Sequence, residues 1–281
     1  MKKIGVVGTG IMGAGIVINY LKSGYQVYIW NRNSGKCASL VKEGAVLLST
    51  PKDVVEQSDI IFEVTANDES SSAVWLGDEG ILAGADTSKF LISSATISVA
   101  WADELARQCE SKGYPFFDMP MTGGRIGAET GKLIFLIGGD EQKLAELHDD
   151  LRPVSEKQTY FGKAGSGIRY KLLLNMLQAI HIAGLGEVLR TAHQAGMDIK
   201  KVGDALAERP GGTTTNLAWR DYQKTPDPIN FSIEWITKDL MYARSFADSL
   251  PLPLLDDVIT QYQKAINSGL AQGDWTEINK I

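Results

Sequence analysis

Lys171 and Asn175 stand four residues apart in Gly167-Ile168-Arg169-Tyr170-Lys171-Leu172-Leu173-Leu174-Asn175. On a helix that spacing puts both on one face, a face that otherwise carries apolar residues. A lysine turned into a cleft can give a proton to an alkoxide or take one from a hydroxyl. An amide one turn away can orient the same oxygen. A second group, Asp118-Met119-Pro120-Met121-Thr122-Gly123-Gly124, sets a hydroxyl beside two glycines. The Thr122 Oγ–H and the Gly123 and Gly124 N–H groups can together hold a carboxylate. A third group, Val6-Val7-Gly8-Thr9-Gly10-Ile11-Met12-Gly13, has the G-x-G-x-x-G spacing of a dinucleotide loop. Gly8 allows the tight turn, Gly10 lets a pyrophosphate approach the backbone, and Gly13 lets the helix pack closely on the sheet. The phosphates would lie along Gly8–Gly13, at the N-terminus of the following helix. Taken singly, each group also has a plainer reading: a solvated Lys171 with a capped, buried Asn175, a structural turn at Thr122, a glycine turn that binds nothing.

These groups need elements to hold them. Apolar, β-branched runs predict strands at Lys3–Val7, Gln26–Trp30, Ile60–Glu63, Phe90–Ser93, Phe116–Asp118 and Leu133–Gly138. Helices are predicted between most of them, around Gly13–Ser23, Gly35–Glu43, Lys52–Gln57, Ser70–Leu76 and Ile97–Ser111, with another over Asp140–Asp150. The alternation implies an α/β fold, an N-terminal doubly wound Rossmann sheet with parallel strands. The character changes after Gly162. A long periodic segment, Ile168–Gln194, runs without proline and reads as an interdomain helix, stopped near Gly196. Helices follow at Ile199–Glu208, Thr213–Tyr222, Ile233–Leu250 and Leu254–Ser268, and no strand is expected after Tyr160. The expected domains are a dinucleotide-binding domain over 1–163 and an all-α domain over 164–281.

Composition narrows the partners. A net charge of −6 argues against a broad nucleic-acid surface. The two cysteines, Cys37 and Cys109, lie far apart and suggest neither a disulfide framework nor zinc, which fits a reducing, cytoplasmic setting. His148, His181 and His193 form no H-x-x-x-H pair, so no metal site is expected. No run of 18 apolar residues occurs, and no membrane span is expected. Met1-Lys2-Lys3 and the apolar residues after it read as the first strand, not a leader, because the glycine fingerprint occupies the same stretch. Where NAD-specific sites carry Asp or Glu after the second strand, this chain reads Trp30-Asn31-Arg32-Asn33. The Arg32 guanidinium and Asn31 amide favour a 2′-phosphate, hence NADP(H). NAD(H) is the alternative if Arg32 is a plain loop charge.

Together the segments resemble the β-hydroxyacid dehydrogenases, which include 3-hydroxyisobutyrate dehydrogenase and the glyoxylate/succinic semialdehyde reductases. Gly8-Thr9-Gly10-Ile11-Met12-Gly13 is similar to the family's G-x-G-x-M-G. Asp118 to Gly124, continuing through Gly127 to Leu133, is similar to its D-x-P-V-S-G-G segment. Gly167 to Asn175 is similar to G-x-x-x-K-x-x-x-N, and Lys238-Asp239 to a late Lys-Asp. The resemblance runs nearly end to end. It implies Lys171 as general acid/base, Asn175 orienting the substrate oxygen, and Thr122, Gly123 and Gly124 holding a carboxylate. It further implies that Thr96, Thr65 and Lys238 meet the cofactor, and that the substrate is a small carboxylate-bearing hydroxy acid or semialdehyde. A homodimer or homotetramer built through the helical domain goes with it.

The chain also departs from the family. Thr122 replaces the usual serine and Val99 a proline. Thr65-Ala66-Asn67 follows the third predicted strand where Met-Leu-Pro is usual, with Glu63 at the strand end. Arg125, beside the glycine pair, could reach a second anionic group or face solvent. Two other functions compete: imine reduction on the same fold, against which Lys171 speaks, and a non-catalytic dinucleotide-binding module. The decarboxylating 6-phosphogluconate dehydrogenases share these motifs but carry a far longer helical domain.

Overall fold

The computed structural model describes residues 1–208, 213–249 and 251–280. Its β-branched and aromatic segments form β1 (Ile4–Val7), β2 (Val27–Trp30), β3 (Val46–Leu47), β4 (Ile60–Glu63), β5 (Phe90–Ser93), β6 (Phe116–Asp118), β7 (Met121–Thr122), β8 (Leu133–Gly139) and β9 (Ser155–Gly162). They pair in the order β3-β2-β1-β4-β5-β6-β8-β7, with β9 on β8. From β3 to β6 every pairing is parallel. Val7, the last residue of β1, lies between Trp30 and Glu63, the last residues of β2 and β4. The strand order reverses there, and such a reversal opens a crevice beyond the strand ends.

Helices pack on both faces of this sheet: α1 (Ile11–Lys22), α2 (Ala38–Lys42), α3 (Pro51–Gln57), α4 (Asp68–Trp75), α5 (Ile81–Gly84), α6 (Val99–Ser111), α7 (Gly124–Thr130), α8 (Glu141–Ala145) and α9 (His148–Leu151). Strand side chains alternate between the faces. Ile4, Val6, Ile60, Phe62, Phe90 and Ile92 join Ile16, Val17 and Tyr20 of α1 in one apolar layer. Val7, Ile61 and Leu91 join Val54, Trp75 and Leu105 in the other. Burying each such side chain stabilises the fold by roughly 1.5–3 kcal/mol, so the two layers hold the strand ends, and the loops on them, in place.

After β9 the described chain is helical: α10 (Ser166–Gln194), α11 (Ile199–Glu208), α12 (Thr213–Gln223), α13 (Ile233–Phe246) and α14 (Pro253–Ala265). Two compact units result, Met1–Lys171 and Leu172–Ile281. The second has its own core, with Ile182, Leu185 and Leu189 of α10 against Trp219, Ile236, Leu240 and Tyr262. By length and composition α10 is apolar enough to cross a bilayer. Its buried residues are core contacts, which accounts for much of that apolarity.

The structure differs from the sequence reading at particular elements. β9 was not expected: Ser155-Glu156-Lys157-Gln158-Thr159-Tyr160-Phe161-Gly162 has no apolar run, and as a partner of β8 alone it needs no fully buried face. β7 turns back on β8, so β8 runs antiparallel to β6 and β7 in an otherwise parallel sheet. Asp140–Asp150 is not one helix. Asp140 caps α8, and the chain then tightens through Glu146 N–H to Lys143 O and Leu147 N–H to Leu144 O before α9 begins. Beyond α14 the chain widens into a π-type turn over Ile266–Leu270, where Gly269 takes a positive φ. α13 ends at Phe246, and Leu250, the expected end of that helix, lies outside the described residues.

Candidate active site

The glycine loop joins β1 to α1. Gly8 has φ +101°, and a Cβ there would run into the Val64 carbonyl. A Cβ on Gly13 would run into the Gly8 carbonyl, whereas around Gly10 nothing lies within 4 Å. The loop is therefore packed from below and open above Gly10, as a backbone that must be approached closely by a ligand requires. Gly10 is also the N-cap of α1, without a side-chain cap, and α1 has no acidic residue in its first turn. Its first N–H groups suit an anion. Ile11 is exposed and Met12 half-buried on that turn.

At the end of β2, Asn31 Oδ1 accepts the Thr9 N–H at 3.2 Å, and its Nδ2 donates to the Asn33 carbonyl at 2.9 Å. Asn31 thus stitches the glycine loop to the 31–33 turn, keeping one amide hydrogen for a ligand. The Asn33 side chain accepts the Gly35 N–H at 3.1 Å and caps a single turn, Ser34–Cys37. Arg32 is exposed, and so is Lys36 on that turn. Lys36 is a second exposed cation on the turn that follows Arg32. Sequence reasoning missed it, although its position four residues after Arg32 was visible.

The third loop follows β4. Val64 N–H donates to the Val7 carbonyl at 2.8 Å, so this segment walls the glycine turn. Asn67 and Ser70 form a reciprocal cap on α4. Asp68 Oδ1 accepts the Ser98 N–H at 2.8 Å, which ties α4 to the loop carrying Thr96. Thr96 is half-buried between buried Ala95 and Ile97.

Thr122 closes β7, opposite Ile134 of β8. Gly123 takes φ +112° and starts α7, leaving Gly123 and Gly124 exposed beside the half-buried Thr122. α7 is fastened to α1: Asn19 Nδ2 donates to the Ala128 and Gly15 carbonyls at 2.7 and 2.8 Å. The candidate carboxylate loop therefore rides on the helix that follows the glycine loop. Arg125 pairs with Glu129 one turn along α7, at 2.5 Å.

Lys171 lies in the second turn of α10, and the start of that helix is held by two carboxylates. Asp118, the last residue of β6, accepts the Gly165 N–H at 2.6 Å and the Ile168 N–H at 2.7 Å. Burial pushes its carboxyl up to about 6, with the two N–H bonds pulling the other way. Arg169 makes a two-pronged pair with Asp103 of α6, at 2.9 and 2.8 Å. The motif alone gives Asp118 no role. Its position just before the Thr122 loop and just under the Lys171 helix supplies one.

In the helical unit, buried Asn175 donates from Nδ2 to Asp239 Oδ2 at 2.6 Å. Lys238 Nζ lies 2.8 Å from Asp239 Oδ1 and 5.0 Å above the Tyr242 ring. Lys238 and Asp239 are thus more than an exposed charge pair: Asp239 is 1% exposed and fixes the Asn175 carboxamide. The signal was its helical phase, in step with buried Ile236, Leu240 and Ala243.

The chain is similar to known proteins over nearly its whole length. Residues 3–162 match the family model described as the NAD-binding domain of 6-phosphogluconate dehydrogenase. Residues 165–281 match that described as NAD-binding of NADP-dependent 3-hydroxyisobutyrate dehydrogenase. Among curated relatives, the cytokine-like nuclear factor N-PAC of Xenopus tropicalis is 30% identical over 94% of this chain and 50% of its own length. The chain spans about half the length of the N-PAC relatives it matches. The chloroplastic glyoxylate/succinic semialdehyde reductase 2 of Arabidopsis thaliana is 28% identical over 98% of this chain and 78% of its own. Among solved structures, a Mycobacterium tuberculosis 3-hydroxyisobutyrate dehydrogenase with L-serine superposes with a TM-score of 0.87, at 24% identity, covering 100% of this chain and 98% of that one.

Proposed function

The chain belongs to the β-hydroxyacid dehydrogenase family, and we propose that it interconverts a small carboxylate-bearing hydroxy acid and its semialdehyde or keto acid, using NADP(H). The observation that carries this reading is the start of α10. Lys171 and Asn175 stand one turn apart there, on a helix whose first N–H groups are clamped by the residue that leads into the Thr122 loop. The bound dinucleotide would supply the hydride in reduction and receive it in oxidation. Lys171 protonates the developing alkoxide in reduction and takes the hydroxyl proton in oxidation. Asn175, its carboxamide held by Asp239, orients that oxygen. Thr122 Oγ–H and the Gly123 and Gly124 amides hold the substrate carboxylate. Gly8 to Gly13 take the pyrophosphate, Thr65, Thr96 and Lys238 line the cofactor, and Arg32 with Asn31 and Lys36 takes a 2′-phosphate. A cytoplasmic homodimer or homotetramer goes with this reading.

A second reading is a dinucleotide-binding module without turnover. It is favoured by the N-PAC relatives, which are named as a nuclear factor, not as a dehydrogenase. Imine reduction has less support, since the lysine is retained at Lys171. One experiment separates them: NADPH oxidation by the purified chain with glyoxylate, succinic semialdehyde or tartronate semialdehyde, beside neutral aldehydes of similar size. We expect turnover of the acids only. Lys171→Ala should lower kcat by about 10²–10⁴, the range for losing a positioned acid/base, and leave NADPH affinity unchanged. Equal turnover of neutral aldehydes contradicts the carboxylate loop. NADPH binding without any turnover points to the module.

A further inference from the structure

Glu63 is a buried acid that the proposed reaction does not use. It ends β4, beside Val7 and Ser93 in the sheet, and is 0% exposed. Its Oε1 accepts both the hydroxyl of Thr65 and the Thr65 N–H, the latter at 3.1 Å. Its Oε2 accepts the Ser93 hydroxyl at 2.8 Å. Burial raises its carboxyl above the ordinary range, and the Thr65 and Ser93 bonds oppose that rise. Enclosing a carboxyl in a sheet is costly unless its hydrogen bonds are made; here they converge on it from two strand ends. The place is also where the chain departs from its family, with Thr65-Ala66-Asn67 for the usual Met-Leu-Pro.

The consequence falls on Thr65. A threonine hydroxyl has one proton to give and two lone pairs to offer. That proton is donated to Glu63 Oε1. What Thr65 Oγ1 retains is acceptor capacity alone, which suits a sugar hydroxyl and repels a phosphate oxygen. Thr65 is half-buried and directly follows Val64, whose carbonyl lies against Gly8 and whose N–H holds Val7. The acceptor therefore stands beside the glycine turn.

We propose that Glu63 is a positioning residue for the dinucleotide, accepting the Thr65 O–H hydrogen bond so that Thr65 Oγ1 accepts from a ribose hydroxyl of the cofactor. This rests on the reading that a nicotinamide dinucleotide lies along Gly8–Gly13. The test is NADPH affinity, read by titration calorimetry on the whole chain, with melting temperature recorded for each variant. Thr65→Val should raise the Kd about tenfold, the weight of one hydrogen bond, and Thr65→Ser should bind as the parent does. Glu63→Leu should cost about as much as Thr65→Val, and the double variant no more than either. Glu63→Gln, which keeps an acceptor for Thr65 and a donor for Ser93, should restore binding to within about threefold. Unchanged affinity in Thr65→Val, or additive losses in the double variant, overturns the proposal even if Glu63→Leu does not fold. If the parent binds neither NADPH nor NADH, the dinucleotide reading fails and takes the proposal with it.

Discussion

In the proposed function the choice of cofactor turns on Arg32. It is exposed at the end of β2, where a carboxylate would bind an unphosphorylated ribose and repel a 2′-phosphate. Arg32→Ala removes a charge-assisted pair worth roughly 1.5–3 kcal/mol, so the NADPH Kd should rise about 10- to 150-fold. NADH affinity should stay within about twofold, since NADH has no charge there. Equal losses for both nucleotides, or a parent that prefers NADH, would refute the 2′-phosphate role. At this scale the sequence marks the candidate groups that depend on spacing along the chain: Gly8 to Gly13, Lys171 with Asn175, Thr122 with its glycines. It was silent where a side chain's task is set by a partner far along the chain. Asp118 meets residues 47 and 50 positions away, and Asn175 meets Asp239 across 64. No periodicity encodes such pairs.

Elements carry these side chains, and the joint that matters most is β6 to α10. A helix start leaves N–H groups without partners, and Asp118 satisfies two of them from a buried position. Its protonation is therefore linked to folding. The carboxyl sits near its ordinary value, about 4, in the unfolded chain and at about 6 in the fold. The fold thus holds the proton more tightly. The stability contributed is full below pH 4 and is lost as pH rises through 6. Two pKa units correspond to about 3 kcal/mol. Denaturant unfolding at pH 4.5, 5.5 and 7.5 should show the parent losing about 2 kcal/mol more than Asp118→Asn across the range, the part of the linkage that lies above pH 4.5. Asp118→Asn should itself be less stable at pH 7.5, because an amide accepts one of the two N–H groups and opposes the other. Parallel pH profiles for the two proteins would show that Asp118 does not titrate with folding. The elements legible in the sequence include those with apolar, β-branched or aromatic runs, β1, β2, β4, β5, β6 and β8, and the long periodic α10. β9 escaped because it pairs on one side only, and the α8–α9 break because charged residues carry no period.

The molecule as a whole has two compact units, each with its own apolar core. The glycine loop, the Thr122 turn and the clamped start of α10 all belong to the first, while Asn175, Lys238 and Asp239 belong to the second. Ligand linkage gives a reading of the first unit that does not depend on turnover. A ligand that binds only the native chain stabilises it by RT ln(1 + [L]/Kd), about 2.7 kcal/mol at one hundred times Kd. For a folding unit of about 150–250 residues each kcal/mol is worth about 2–4 °C, so NADPH at one hundred times Kd should raise the melting transition of the first unit by roughly 5–10 °C. NADH at the same concentration should raise it less. Lys171→Ala should show the full NADPH shift, because the residues assigned to the phosphates, Gly8 to Gly13 and Arg32, lie on other segments. Arg32→Ala should lose most of the difference between the two nucleotides. This set of four measurements separates binding from chemistry. A shift in the parent with turnover abolished only in Lys171→Ala supports an enzyme, and a shift in both without turnover in either supports a binding module. The absence of any shift at millimolar NADPH and NADH would contradict the dinucleotide loop itself.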